Sequence, residues 1–156
     1  MKTSLTTIID APAALVFLWL DDNERLLKWV PNLIKDEALT DMPSKVGSTF
    51  AQTFLENGRE MEMEGEITAF QENERMRVYM KNKMFELDVD YHLKALSETQ
   101  TEVTQHTKIY VKGFMKLLFP LMGLMSKMSK KDPQADAHAQ LKACVEAEYQ
   151  LASSPD

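Results

Sequence analysis

The stretch from Glu60 to Ala69 constrains the fold more than any other part of the chain. Met61, Met63, Gly65, Ile67 and Ala69 alternate with Glu60, Glu62, Glu64 and Glu66, so apolar and acidic side chains fall on opposite faces of an extended chain. Period two with this contrast marks a strand with one face on a core and the other in water. The next stretch repeats the pattern, Met76, Val78 and Met80 alternating with Arg75, Arg77, Tyr79 and Lys81. A hairpin loop over Gln71-Glu72-Asn73-Glu74 sets Phe70 against Arg75, Ile67 against Val78 and Glu64 against Lys81. Apolar then meets apolar and acid meets base, whereas a slip of one residue reverses every face. The glutamate ladder is therefore expected as a solvated outer face with cross-strand charge pairs, in preference to a cation site.

Further strands are expected on both sides of this hairpin. Residues 3–9 are rich in β-branched types, and 34–40 and 48–56 are separated by Pro43 and Gly47. Phe85, Leu87, Val89, Tyr91 and Leu93 form the inner face of one later strand; Val103, Gln105, Thr107, Ile109 and Val111 form that of the last. Two short helices, Ala13 to Leu20 and Asn23 to Trp29, follow the first strand, with Asp10 as N-cap and Pro12 in the first turn. The Leu- and Met-rich stretch from Phe114 to Lys131 carries Pro120 and Gly123. Asp132-Pro133 then reads as the cap and first residue of a fresh helix running to about Leu151, with Ala137, Leu141, Cys144, Val145 and Leu151 on its apolar stripe. About twenty residues at 1.5 Å each give roughly 30 Å, enough to cross a sheet. The order of elements predicts an α+β fold: one seven-stranded antiparallel sheet, curled around a long C-terminal helix, with two short helices after the first strand.

Composition narrows the function. With 156 residues, 44% hydrophobic and 27% charged, the chain is expected to form one domain over 1–156. The net charge of 18 − 24 = −6 argues against nonspecific nucleic-acid binding. One Cys excludes an intramolecular disulfide and any multi-cysteine zinc site. Neither a Gly-rich phosphate loop nor a His-Glu-x-x-His, Cys-x-x-Cys or Gly-x-Ser-x-Gly motif occurs, so no cofactor and no metal are expected. The chain shows no secretory signal pattern and no transmembrane run, and a cytoplasmic location is expected.

Ile9-Asp10-Ala11-Pro12 followed by Val16-Phe17, Trp29-Val30-Pro31, Val46-Gly47-Ser48-Thr49-Phe50, and Leu141-Lys142 with Glu146 occur in an order and spacing that resemble the START-like (SRPBCC) superfamily, and within it the polyketide cyclase/dehydrase-like branch. The resemblance covers nearly the whole chain. It implies the helix-grip fold, a sheet wrapped round the C-terminal helix with a cavity between them. The break at Asp132-Pro133 departs from the continuous terminal helix of that family.

His92 and His106 are expected directly opposite one another on facing strands but on the outer face, as exposed histidines and not as metal ligands. His138 is expected in solvent, and Cys144 as a small buried hydrophobe. Met61, Met63, Met76 and Met80 share the inner sheet face, where flexible methionines either pack a core or adapt to an apolar ligand. Lys116, Lys127, Lys130 and Lys131 give the stretch before the last helix a basic character; lid or core packing is expected there ahead of membrane or subunit contact.

The leading expectation is a non-catalytic protein that binds a small hydrophobic or amphipathic molecule, lipid-like or polycyclic, with Phe54, Met63, Met80, Phe85, Tyr91, Gln105, Thr107 and Leu118 lining the cavity. Gln105 and Thr107 supply its directional hydrogen bonds. An enzyme of the polyketide cyclase/aromatase type is the alternative. It needs a titratable group facing inward, and the inner faces offer only Tyr91 unless Asp36 or Glu37 turns in. A protein-interaction module using the Met-rich tail is the third reading.

Overall fold

The computed structural model describes residues 1–113 and 133–153. Seven strands form one antiparallel sheet: β1 (Lys2–Ile9), β2 (Leu33–Ala38), β3 (Thr49–Glu56), β4 (Arg59–Gln71), β5 (Arg75–Lys81), β6 (Phe85–Ser97) and β7 (Gln100–Val111), in the order β1-β7-β6-β5-β4-β3-β2. Two short helices, α1 (Ala13–Asp21) and α2 (Asn23–Trp29), separate the two edge strands, and α3 (Pro133–Ser153) follows the sheet. This is the expected α+β helix-grip architecture. The stretch before α3, with Leu118, Pro120, Gly123, its methionines and lysines, and the cap at Asp132, lies outside the described residues.

The β4–β5 hairpin holds the expected register at Ile67 against Val78 and Glu64 against Lys81. An irregularity between Ile67 and Ala69 corrects the rest: Phe70 faces Met76, not Arg75, and Gln71 pairs with Arg75 across a turn that holds Asn73 at φ 64°. A bulge flips the alternation beyond it. Phe70 therefore joins the inner face, its ring edge-on to Phe17 of α1 at 5.3 Å. The outer-face charge pairs also differ from expectation. Arg75 and Arg77 reach across to β6 and fork onto Asp90 and Asp88, with N–O distances of 2.6–3.0 Å.

The packed core occupies one end of the sheet. Ile9, Met76, Leu93 and Val103 meet Val16, Phe17, Trp19 and Leu20 of α1, Trp29 of α2, and Ala137, Leu141 and Val145 of α3. The motifs behind the family resemblance are joined here. Glu146 accepts the Asp10 backbone N–H at 3.0 Å and the Lys142 ammonium at 2.6 Å, and Lys142 also donates to the Ile8 carbonyl at 2.9 Å. Asp10 thus anchors the chain to α3 and does not cap α1, whose N-cap is Pro12 without a side-chain bond. Asp22 caps α2 instead, accepting from the Arg25 backbone N–H at 3.0 Å. Glu148 bridges both short helices, accepting from Trp19 Nε1 at 3.3 Å and from Arg25 at 2.8 Å.

The α3 stripe differs from expectation at three positions: Leu151 is 78% exposed, Cys144 is half-buried at the rim of the core, and His138 is buried beside Ala137, Leu141 and Val145. Among the described elements, α3 packs chiefly on β1, α1 and α2. The inner faces of β3 to β6 beyond the core are thus not covered by it.

Candidate functional site

The part of the inner face that α3 leaves uncovered lines a cavity of about 1100 Å³. Its wall is largely apolar. Phe54, Met63, Met80, Phe85 and Tyr91 line it, as do Met61, Met76, Ile67 and Val78. Row by row the register explains this: Gly65, Met80, Leu87 and Ile109 lie side by side across β4 to β7, and Ile67, Val78, Val89 and Thr107 form the row beside them. Gly65 has a specific role in the first row. A Cβ there would come within 2.2 Å of Phe50 Cζ, so the absent side chain is what lets the Phe50 ring lie against the strand.

Gln105 and Thr107 also line the cavity, but they are not free-standing polar groups. His138, expected in solvent, is 2% exposed and organises them. Its Nδ1 lies 2.8 Å from Thr7 Oγ1 and its Nε2 lies 2.7 Å from Gln105 Oε1. A carboxamide oxygen only accepts, so Nε2 carries a proton and donates. Gln105 Nε2 in turn donates to Thr107 Oγ1 at 3.0 Å, and Gln134 Nε2 donates to the same oxygen at 3.4 Å. A hydroxyl has two acceptor positions and one donor. Thr107 has both acceptor positions occupied, and no acceptor among the described residues takes its proton. The network therefore presents a hydrogen-bond donor to the cavity.

The sequence signal for His138 was its spacing: it stands three residues before Leu141 and seven before Val145, on the stripe itself. A stripe read only from apolar residues passes over it.

The cavity holds a second polar corner. Asp36 faces Gln52 across the β2–β3 register, and both line the wall. The irregularity between Leu33 and Lys35 puts Leu33 and Asp36, three residues apart, on the same inner side, while Glu37 stays exposed. Burial pushes the Asp36 carboxyl above the usual range, and the Gln52 amide beside it pulls it partly back. Burial likewise raises Asp21 at the end of α1, also on the cavity wall. Tyr91 stands edge-on to Trp29 at 6.4 Å, and burial pushes its phenol far up, so it stays protonated. The inward titratable groups thus include Asp36 and Asp21 as well as the Tyr91 phenol.

His92 and His106 lie on the outer face as expected, but diagonally: His92 is opposite Thr104 and His106 opposite Asp90, with ring centroids 5.7 Å apart. Each has another partner, Asp90 at 3.2 Å for His92 and Ser4 at 3.1 Å for His106. Among the described residues no helix is long and apolar enough to cross a membrane.

Residues 1–125 match the profile of a family described as Domain of unknown function (DUF3284). No curated protein matches the chain. Among solved structures, the Zhui aromatase/cyclase from Streptomyces sp. R1128 superposes with a TM-score of 0.80 at 10% identity, covering 99% of each chain. A START superfamily protein from Mycobacterium smegmatis gives 0.72 at 16% identity, over 97% of this chain and 99% of that one. Ara h 8.0201 gives 0.66 at 15% identity, over 94% and 98%. The fold is the START-like, SRPBCC helix grip.

Proposed function

The chain belongs to the family described as Domain of unknown function (DUF3284), and we propose that it binds a small hydrophobic or amphipathic molecule between the sheet and the C-terminal helix. The observation that carries this reading is the pairing of apolar walls with one donor of fixed direction. Apolar contact supplies most of the affinity in such sites, and a few placed polar groups set orientation. Here Phe54, Met63, Met80, Phe85 and Tyr91 are the wall, and the Thr107 hydroxyl donates to an oxygen of the ligand. Gln105 acts through Thr107 and His138 through Gln105, as positioning residues. Four methionines on the inner face let the wall adapt to ligand shape. The neighbours named START superfamily protein and aromatase/cyclase support a ligand-holding fold without naming a ligand. A reducing, cytoplasmic setting fits the free Cys144.

Native mass spectrometry of gently purified protein tests the reading. An apolar molecule retained at one per chain, and released on unfolding, is the expected result. Protein that carries nothing and takes up no polycyclic or fatty compound on titration would remove it.

A cyclase-like enzyme remains the second reading, because Asp36 gives the cavity the inward carboxyl that such chemistry needs. Turnover of a polyketide-like substrate that Asp36→Asn or Tyr91→Phe abolishes would establish it. An interaction role for the Met-rich tail concerns residues outside those described.

A further inference from the structure

The inner wall carries one polar feature that the donor at Thr107 leaves unused. Asp36 lies on an edge strand yet faces the cavity, with Gln52 opposite it and Phe54 and Met63 along the same wall. Its neighbours in the strand look elsewhere for their charges: Lys35 pairs with Glu37 at 3.5 Å, both on the outer side. Lys45, the one basic side chain on the described part of the wall, pairs with Asp41 at 3.7 Å. No cation among the described residues pairs with Asp36. Asp36 is thus a carboxylate aimed into an apolar space without a cationic partner, a costly arrangement unless it is neutralised or met by a positive group. Asp21, Glu24 and Glu56 also stand on the wall of this cavity, while Asp22 and Asp41 there are paired with Arg25 and Lys45, so the described wall carries no unpaired basic side chain.

We propose that the ligand of this cavity carries a basic amine, held by Asp36 beside Gln52, in addition to the oxygen that Thr107 meets. This rests on the binding reading above and narrows it to amphipathic amines. The two contacts have opposite polarity, so they also fix the ligand's direction. The amine points to the β2–β3 edge of the sheet, and the acceptor oxygen points to β7.

Decylamine and decanol differ only in the head group, which makes them a clean pair. Calorimetric titration of the full chain with each should show the amine binding about 10- to 100-fold more tightly, the range of a charge-assisted hydrogen bond. Asp36→Asn should bring the amine down to the level of decanol and leave decanol itself unchanged. Glu37→Gln removes the same charge from the exposed side of the same strand and should keep the preference. That control separates a specific contact from general attraction to an acidic protein. Equal affinity of the two compounds in the unaltered chain overturns the amine proposal and leaves the binding reading standing. So does a preference that survives Asp36→Asn or disappears in Glu37→Gln. If neither compound binds the unaltered chain, the binding reading falls, and the amine proposal falls with it.

Discussion

His138 Nε2 donates to Gln105 Oε1 across 2.7 Å, and this contact fixes the direction of every hydrogen bond beyond it. With the oxygen of Gln105 turned to the helix, its nitrogen must face Thr107, and Thr107 must turn its own proton to the cavity. The helix thereby sets the chemistry of the sheet wall.

Removing the ring should be costly. His138→Ala leaves a void at a position 2% exposed and deprives both Thr7 and Gln105 of a partner. A loss of about 2–4 kcal/mol is expected in urea unfolding. A loss below about 0.5 kcal/mol, the level of an ordinary surface change, would show that the network is not structural.

Thr107→Val keeps the shape of the wall and deletes the donor. A naphthyl ketone should then bind about 5- to 50-fold more weakly, while naphthalene, with no oxygen to meet, should bind as before. Equal weakening of both compounds would mean that the substitution acts through packing.

The cavity wall also depends on an absence. Gly65→Ala would drive a methyl into the Phe50 ring, and the ring must leave its place. We expect a loss of about 1–3 kcal/mol in thermal unfolding. Shortening Phe50 as well should recover part of it, so the two changes are not additive. Additive losses would contradict the contact.

Much of this was legible before any coordinates, and the misses have identifiable causes. The β4–β5 alternation gave its register at Ile67–Val78 and Glu64–Lys81, because one face is buried and a slip there is ruinous. The alternation failed beyond Thr68 and around Ile34, where one extra residue in a strand reverses all that follows. Phe70 and Asp36 are the two side chains whose placement this obscured. A bulge leaves no periodicity to read, so alternation alone does not place the Asp36 carboxyl on the inner side. His138 was hidden differently: a polar residue on a helical stripe is buried only if partners wait for it, and Thr7 and Gln105 lie 131 and 33 residues away in sequence.

Two aspartates on the sheet should show opposite responses to pH. Hydrogen bonding from Arg77 holds the Asp88 carboxyl below the usual range despite partial burial. Such a group contributes stability above its unfolded pKa and loses it as pH falls through the lower folded value. Asp36 is raised by burial, so its charged form opposes folding at neutral pH, and that penalty fades as pH falls through its folded value. Asp88→Asn should therefore lower stability at pH 7 by about 1 kcal/mol, and Asp36→Asn should raise it. Both differences should shrink towards pH 3 in parallel unfolding curves. Matching signs for the two variants at pH 7 would refute the assignment.

Methionine methyl groups offer the most direct view of the cavity. Met61, Met63, Met76 and Met80 line it, whereas Met42 and Met84 are 47% and 36% exposed and do not. With carbon-13 in the methyl groups and each resonance assigned by a single Met→Leu variant, decylamine should shift the methyls of Met61, Met63, Met76 and Met80 along one saturable curve and leave Met42 and Met84 in place. Shifts confined to Met42 and Met84, or lining methyls that never move, would contradict a ligand-binding cavity at this site.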